Sequence, residues 1–175
     1  MINYDDKKRE ILVALKDMLI DEEIAAKYTN MGEEGYPLDM VNALIDEMTD
    51  EGDPGIAEFF FMPAHEGMEE YGIFQSVVTF ADEIEKEAKE TFDKVASIIN
   101  FYLETGAFCG DLDLNNYSLK MSIMLPLDAD INVLKDMVQL NASQAILTAS
   151  AYCNLFLKVA MGAMSLDEVE ALIKG

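Results

Sequence analysis

The sequence predicts an α+β domain in which an antiparallel sheet is flanked by helices. Three observations lead there. Two runs, Ile56 to Met62 and Tyr71 to Phe80, have the Phe, Val, Ile and Thr composition of strands. A third segment, Ala107 to Leu127, alternates apolar and polar residues on both sides of Asn115-Asn116. Apolar residues at helical spacing occupy the two ends of the chain. The expected order is α-α-β-β-α-β-β-α-α in one domain, residues 1–175. Its parts are a helical stretch 1–52, a sheet with an inserted helix 56–127, and C-terminal helices 130–174.

The first helix is expected over 5–28, with Ile11, Leu12, Leu15, Met18 and Leu19 on one face. Gly32 and Gly35 interrupt the pattern, and a shorter helix is expected over 38–49, burying Val41, Leu44, Ile45 and Met48. The cluster Glu51-Gly52-Asp53-Pro54-Gly55 makes a turn. Two strands follow, the first carrying Phe59, Phe60 and Phe61 and closed by Pro63.

Asp82 can cap a helix running to about Glu104, with Glu85–Lys89 and Glu90–Lys94 as acid-first pairs one turn apart. A two-residue turn at Asn115-Asn116 would set Leu114 opposite Tyr117, Phe108 opposite Ile123, and Asp111 opposite Lys120. A one-residue slip would break both the apolar and the charged matches. The remainder reads as a long helix from Asp130 to about Met161. Gly162 stops it, and Ser165-Leu166-Asp167-Glu168 forms a capping box for a last short helix.

The charge excludes several functions. With 34 acidic and 12 basic residues the net charge is −22. Nucleic acid and anionic membrane surfaces are therefore not expected partners, because both need clustered Lys and Arg. Residues 28–85 hold fifteen Asp or Glu and no Lys or Arg. Such a block is either a solvated rim or a surface for a basic segment of another protein. Cys109 and Cys153 are isolated, as buried thiols in a reducing compartment are. No signal peptide and no run long enough to span a bilayer is read, so the expected location is the cytoplasm.

The wording of the C-terminal half resembles a known family. The stretch from Ile99 through NFYLETGAFCGDLDLNNYSLKMSIMLPLDADI, and the closing VAMGAMSLDEVEAL, are similar to the YbjN-like putative bacterial sensory transduction regulators. The resemblance covers residues 90–173; the first 55 residues depart from it. It implies a fold like the small acidic chaperones of type III secretion, which are typically dimers that wrap an extended client segment. It carries no catalytic residue over to this chain.

Recognisable chemistry is missing from the sequence. His65 is the only histidine, so a His-rich zinc site cannot form. Asp111-x-Asp113-x-Asn115 starts like a calcium loop, but Asn116 and Ser122 stand where Gly and Glu are required. Asp128-x-Asp130-x-Asn132 fails likewise at Val133 and Gln139. Acid pairs such as Glu33-Glu34 and Glu69-Glu70 are expected by chance among 34 acids. Arg9 is the only arginine, which argues against an anion-handling active site.

No catalytic, cofactor-binding or metal-binding residue is therefore assigned, and no enzyme is expected. The expectation is a non-enzymatic protein-binding module, chaperone-like or a regulatory adaptor, in a bacterial cytoplasm and forming a homodimer. The alternative is a regulatory domain binding a small ligand or a cation. Met121 and Met124 fall on opposite faces of one strand, so one of them looks away from the core. Phe59, Phe61 and Met124 are the expected partner contacts.

Overall fold

A computed structural model describes residues 4–64, 66–111 and 115–175, with only the backbone of Glu34. Among them the chain runs α1 (Tyr4–Asp21), β1 (Ala25–Thr29), β2 (Met40–Ile45), β3 (Gly55–Phe61), β4 (Tyr71–Ala81) and α2 (Lys86–Tyr102). It continues with β5 (Ala107–Gly110), β6 (Tyr117–Pro126), α3 (Ile131–Ala160) and α4 (Leu166–Lys174). The strands form one antiparallel sheet in the order β1-β2-β3-β4-β6-β5. The α+β class with an antiparallel sheet flanked by helices is thus as expected.

The N-terminal quarter differs from expectation. The first helix ends at Asp21, not 28, because Ile24 N–H reaches back to Leu19 O and Glu23 N–H to Ile20 O. This reciprocal end motif puts Glu23 at φ 64, a position usually signalled by Gly. Residues 25–29 then form an unexpected strand. The expected helix 38–49 is instead β2, paired with β1 on one side and β3 on the other. Val41, Ala43 and Ile45 alternate inward, yet Val41 and Ile45 are also four apart. Six residues cannot decide between periods of 2 and 3.6, and pairing on both sides does.

The 107–127 hairpin forms, but four residues out of the expected register. Phe108 faces Leu119, not Ile123, and Lys120 faces Ala107, not Asp111. A slip by an even number leaves every side chain on its face, so alternation could not detect it. The connection opens early: Asp111 N–H donates to Asn116 O at 3.0 Å, and Lys89 Nζ donates to Asp111 O at 2.7 Å. Lys89 is thereby drawn to the loop, not to Glu85, whereas the Glu90–Lys94 pair forms at 2.9 Å. Residues 112–114, including the expected Leu114–Tyr117 match, lie outside the described residues. Asp82 does not cap α2; Glu85 occupies the N-cap.

The C-terminal helices start where expected. Asp130 caps α3 by accepting from Asn132 N at 2.8 Å, and Ser165 with Glu168 makes the full capping box of α4. That use of Asp130 supplies a structural reason for one of the calcium-like acids.

The helices lie on one face of the sheet. α1 packs on β1, β2 and β3; α3 packs on β4 and β6; α2 covers β5, and α4 packs on α2. Between these layers sits one core, with Leu12, Leu15, Phe59, Phe74, Val78, Leu119 and Phe156 at or near zero exposure. A polar pair crosses it: Ser76 Oγ of β4 donates to Asn141 Oδ1 of α3 at 2.9 Å, which satisfies the hydroxyl inside an apolar layer. At one edge Asn100 of α2 bonds twice to Phe108 of β5. Its Nδ2 donates to Phe108 O at 2.9 Å and its Oδ1 accepts from Phe108 N at 2.8 Å.

Candidate functional site

Placing every helix on one side leaves the opposite face of the sheet open. Side chains alternate along a strand, so the register determines which residues share that face. One row across it reads Lys27, Asn42, Glu58, Val77, Lys120, Ala107 from β1 to β5. The row to one side reads Ala25, Leu44, Ile56, Thr79, Ser118, Cys109. The row to the other begins Thr29, Met40, Phe60, Gln75, Ser122, and beyond it Ile73 stands opposite Met124.

The face is apolar at its flanks and charged at its centre. Leu44, Ile56 and Met124 are 43%, 50% and 54% exposed, far more than apolar side chains of a covered sheet. Phe60, Ile73 and Val77 are half-buried between their neighbours. The Thr29–Met40 corner is buried, so the open area lies over the middle of the sheet.

Glu58 stands at the centre of this area on an interior strand. Apolar Ile56 and Phe60 precede and follow it on the same face, with Asn42 and Val77 beside it. Its carboxylate makes no hydrogen bond or ion pair among the described residues. Lys27 and Lys120 are each two strands away, roughly 10 Å at the usual strand spacing. Burial alone pushes the Glu58 carboxyl above its ordinary pKa.

The sign of the resulting pH effect follows. A raised pKa means the folded chain keeps a proton that the unfolded chain has released. Stability attributable to Glu58 therefore falls as pH rises from the ordinary glutamate value through the raised one. Glu58→Gln is expected to raise Tm at pH 7 and to leave it unchanged near about pH 3.5, where both states are protonated. Thermal melts at the two pH values check this; a lower Tm for the variant at pH 7 would show that the carboxylate has a stabilising contact.

The expected contact residues separate. Phe59 and Phe61 point into the helix-side core at 0% and 6% exposure, so they are out of reach of a partner in the folded chain. Phe59 stacks with Phe74, and Phe61 meets the same ring edge-on. Met124 is on the open face as expected, and Met121 is the buried one of the pair. The residues missed are Leu44, Ile56, Glu58 and Phe60. The signal was in the sequence: within Ile56–Phe61 the set containing Glu58 must face outward, which sends Phe59 and Phe61 inward.

Other reactive groups are occupied or dispersed. Cys153 is fully buried on α3, its thiol directed to Met48 O at 3.2 Å, and burial pushes its pKa up to about 11. Cys109 lies on the open face opposite Ser118, whose hydroxyl is hydrogen-bonded to Thr79 at 2.8 Å. Tyr117 donates to Asp93 at 3.0 Å, and burial, then that contact, raises its pKa.

Arg9 and Asp39 pair at 2.8 Å, and Asp39 also accepts from Met31 N, which fastens the loop before β2 to α1. Burial opposes the Asp39 charge, but these two hydrogen bonds outweigh it and hold the carboxyl low. His65 lies outside the described residues. Among those described, no three His, Cys, Asp or Glu side chains gather to hold a metal. No helix among them is long and apolar enough to cross a membrane.

The geometry defines the chain as an α+β protein with a helix layer on one side of its sheet and an open face on the other. It matches no protein-family model and no curated protein.

Proposed function

We propose that this chain is a non-enzymatic protein-binding module of the bacterial cytoplasm, chaperone-like or a regulatory adaptor, that receives its partner on the open sheet face. The observation that carries this reading is the open face itself, apolar around a half-buried Glu58 that has no partner among the described residues. An uncovered apolar area with a polar centre is the form of a recognition surface. Its chemistry specifies the partner: an apolar segment with a Lys or Arg that reaches Glu58. The charge-assisted bond would recover solvation that the carboxylate has lost. The resemblance of residues 90–173 to the YbjN-like family, and through it to type III secretion chaperones, points to the same class of role.

The test is a pull-down from lysate of the native organism at low and at moderate salt. The wild-type chain is compared with an Ile56→Asp, Met124→Asp double variant. Both positions are exposed, so the variant is expected to fold. The expected result is one dominant partner that survives moderate salt on the wild type and is lost from the variant. Equal retention on both, or only salt-sensitive heterogeneous binding, would overturn the reading.

A further inference from the structure

We propose that the solvent-facing seam of α3 is a self-association surface, at which the α3 of a second copy packs antiparallel across a two-fold axis. This does not rest on the sheet-face reading and concerns the other side of the molecule.

The seam comes from spacing and exposure together. Along the outside of α3, Val133, Met137, Leu140, Gln144, Leu147 and Ala151 follow one another at intervals of four and three. That is the repeat by which two helices interlock side chains over many turns. Val133 and Met137 are 51% and 40% exposed, and Leu140 and Leu147 are each 70% exposed. The outside of a surface helix is ordinarily its charged side. Here the core side holds the apolar residues required of it, Leu134, Val138, Ala142, Ala145 and Ala149, and the outside is apolar as well. The seam from Val133 to Ala151 is about 27 Å long at the rise of an α-helix.

Charge identifies the occupant as a second copy. A chain of net charge −22 repels itself, so copies can meet closely only where charge is missing. From Met137 to Leu157, 21 consecutive residues include no Asp, Glu, Lys or Arg, in a chain that is 26% charged. Small side chains, Ser143 and Ser150, border the seam and let another helix approach.

The seam also complements itself when reversed. Extended along the same spacing, it begins at the exposed Asp130, three residues before Val133, and finishes at Lys158, seven residues after Ala151. The Lys158 side chain is 43% exposed and pairs with Asp50 of its own chain at 2.8 Å. An antiparallel copy centred near Gln144 sets Leu140 against Leu147 of the second copy. It also brings Lys158 level with the Asp130 of that copy. At the axis Gln144 meets its own equivalent, and an amide both donates and accepts. Such reciprocity is what a two-fold interface requires. A parallel pair would instead align Asp130 with Asp130 and Lys158 with Lys158.

Sedimentation equilibrium on the wild-type chain and on L140E/L147E is the test. The expected result is twice the chain mass for the wild type and a single chain mass for the variant. The variant should keep its circular dichroism and Tm, because both positions are exposed in one copy. A mixture of L140C and L147C chains, each in a Cys109→Ser background, should form a disulfide-linked dimer under mild oxidation. Neither alone should do so.

A monomeric wild type overturns the proposal, and so does a dimer that L140E/L147E leaves intact. Cross-linking of the L140C chain with itself, or of the L147C chain with itself, overturns the antiparallel arrangement. The Ile56→Asp, Met124→Asp variant should remain dimeric; its dissociation would place the contact on the sheet and overturn the α3 assignment.

Discussion

Phe156→Ala is expected to destabilise the fold by about 3–5 kcal/mol. Phe156 projects from α3 at 0% exposure into a cluster supplied by four other elements. Its ring centroid lies 5.1 Å from Phe80 of β4, 5.3 Å from Phe92 of α2, 5.1 Å from Phe108 of β5 and 5.4 Å from Tyr117 of β6. Truncation removes one side of all four contacts, and rings held from four directions cannot collapse into the void together. The loss would be a large share of the 5–15 kcal/mol by which domains are usually stable.

For a chain of this size it corresponds to a Tm lower by roughly 10 °C. Phe156→Leu keeps much of the apolar volume and should cost clearly less. Leu172→Ala, at a position 61% exposed, should be nearly neutral. Denaturant melts of the three variants check the order. A Phe156→Ala loss under about 1 kcal/mol would mean the cluster repacks freely.

Gly106→Ala is expected to cost about 2–4 kcal/mol, through backbone strain and a steric clash acting together. Gly106 joins α2 to β5 at φ +79, where an L side chain is strained. A Cβ there would also stand 2.5 Å from Met121 Cγ and 3.0 Å from Lys120 O. Met121 is itself buried at 2%, so it has little room to retreat. Gly162, at φ +71 with nothing near its Cβ position, isolates the first effect. Gly162→Ala should therefore lose noticeably less than Gly106→Ala in the same denaturant melt. Equal losses would remove the clash from the account.

The elements legible in the sequence are those with a local chemical marker. Ser165 with Glu168, Asp130 ahead of α3, and the strand composition of 56–62 and 71–80 each have a cause within a few residues. The misreadings share another origin. Glu23 ends α1 in a conformation its side chain does not advertise. Residues 40–45 are a strand because β1 and β3 lie on either side of them, which no short window can encode. The register of β5 against β6 depends on Lys89 and Asn100, which belong to a helix that precedes the hairpin.

The candidate surface was half legible. Met124 follows from strand alternation alone. Composition alone does not tell whether Phe59 and Phe61 belong to it, because aromatic content marks burial and recognition equally. Only the position of Glu58 between Ile56 and Phe60 separates the two, since a carboxylate with no partner does not enter a core. Leu44 could not be placed until residues 40–45 were known to be extended.

The two hydrogen bonds from Asn100 to Phe108 are those a further strand would make along the outside of β5. A side-chain amide thus imitates a neighbouring backbone and blunts that border of the sheet against extension. The other border, β1, has no further strand beyond it among the described residues. A visiting strand can lengthen the sheet at one end only, so a guest that docks there finds no second end on which the next molecule could build. Filament growth by strand addition is terminated within each molecule, while a single added strand remains compatible with the fold.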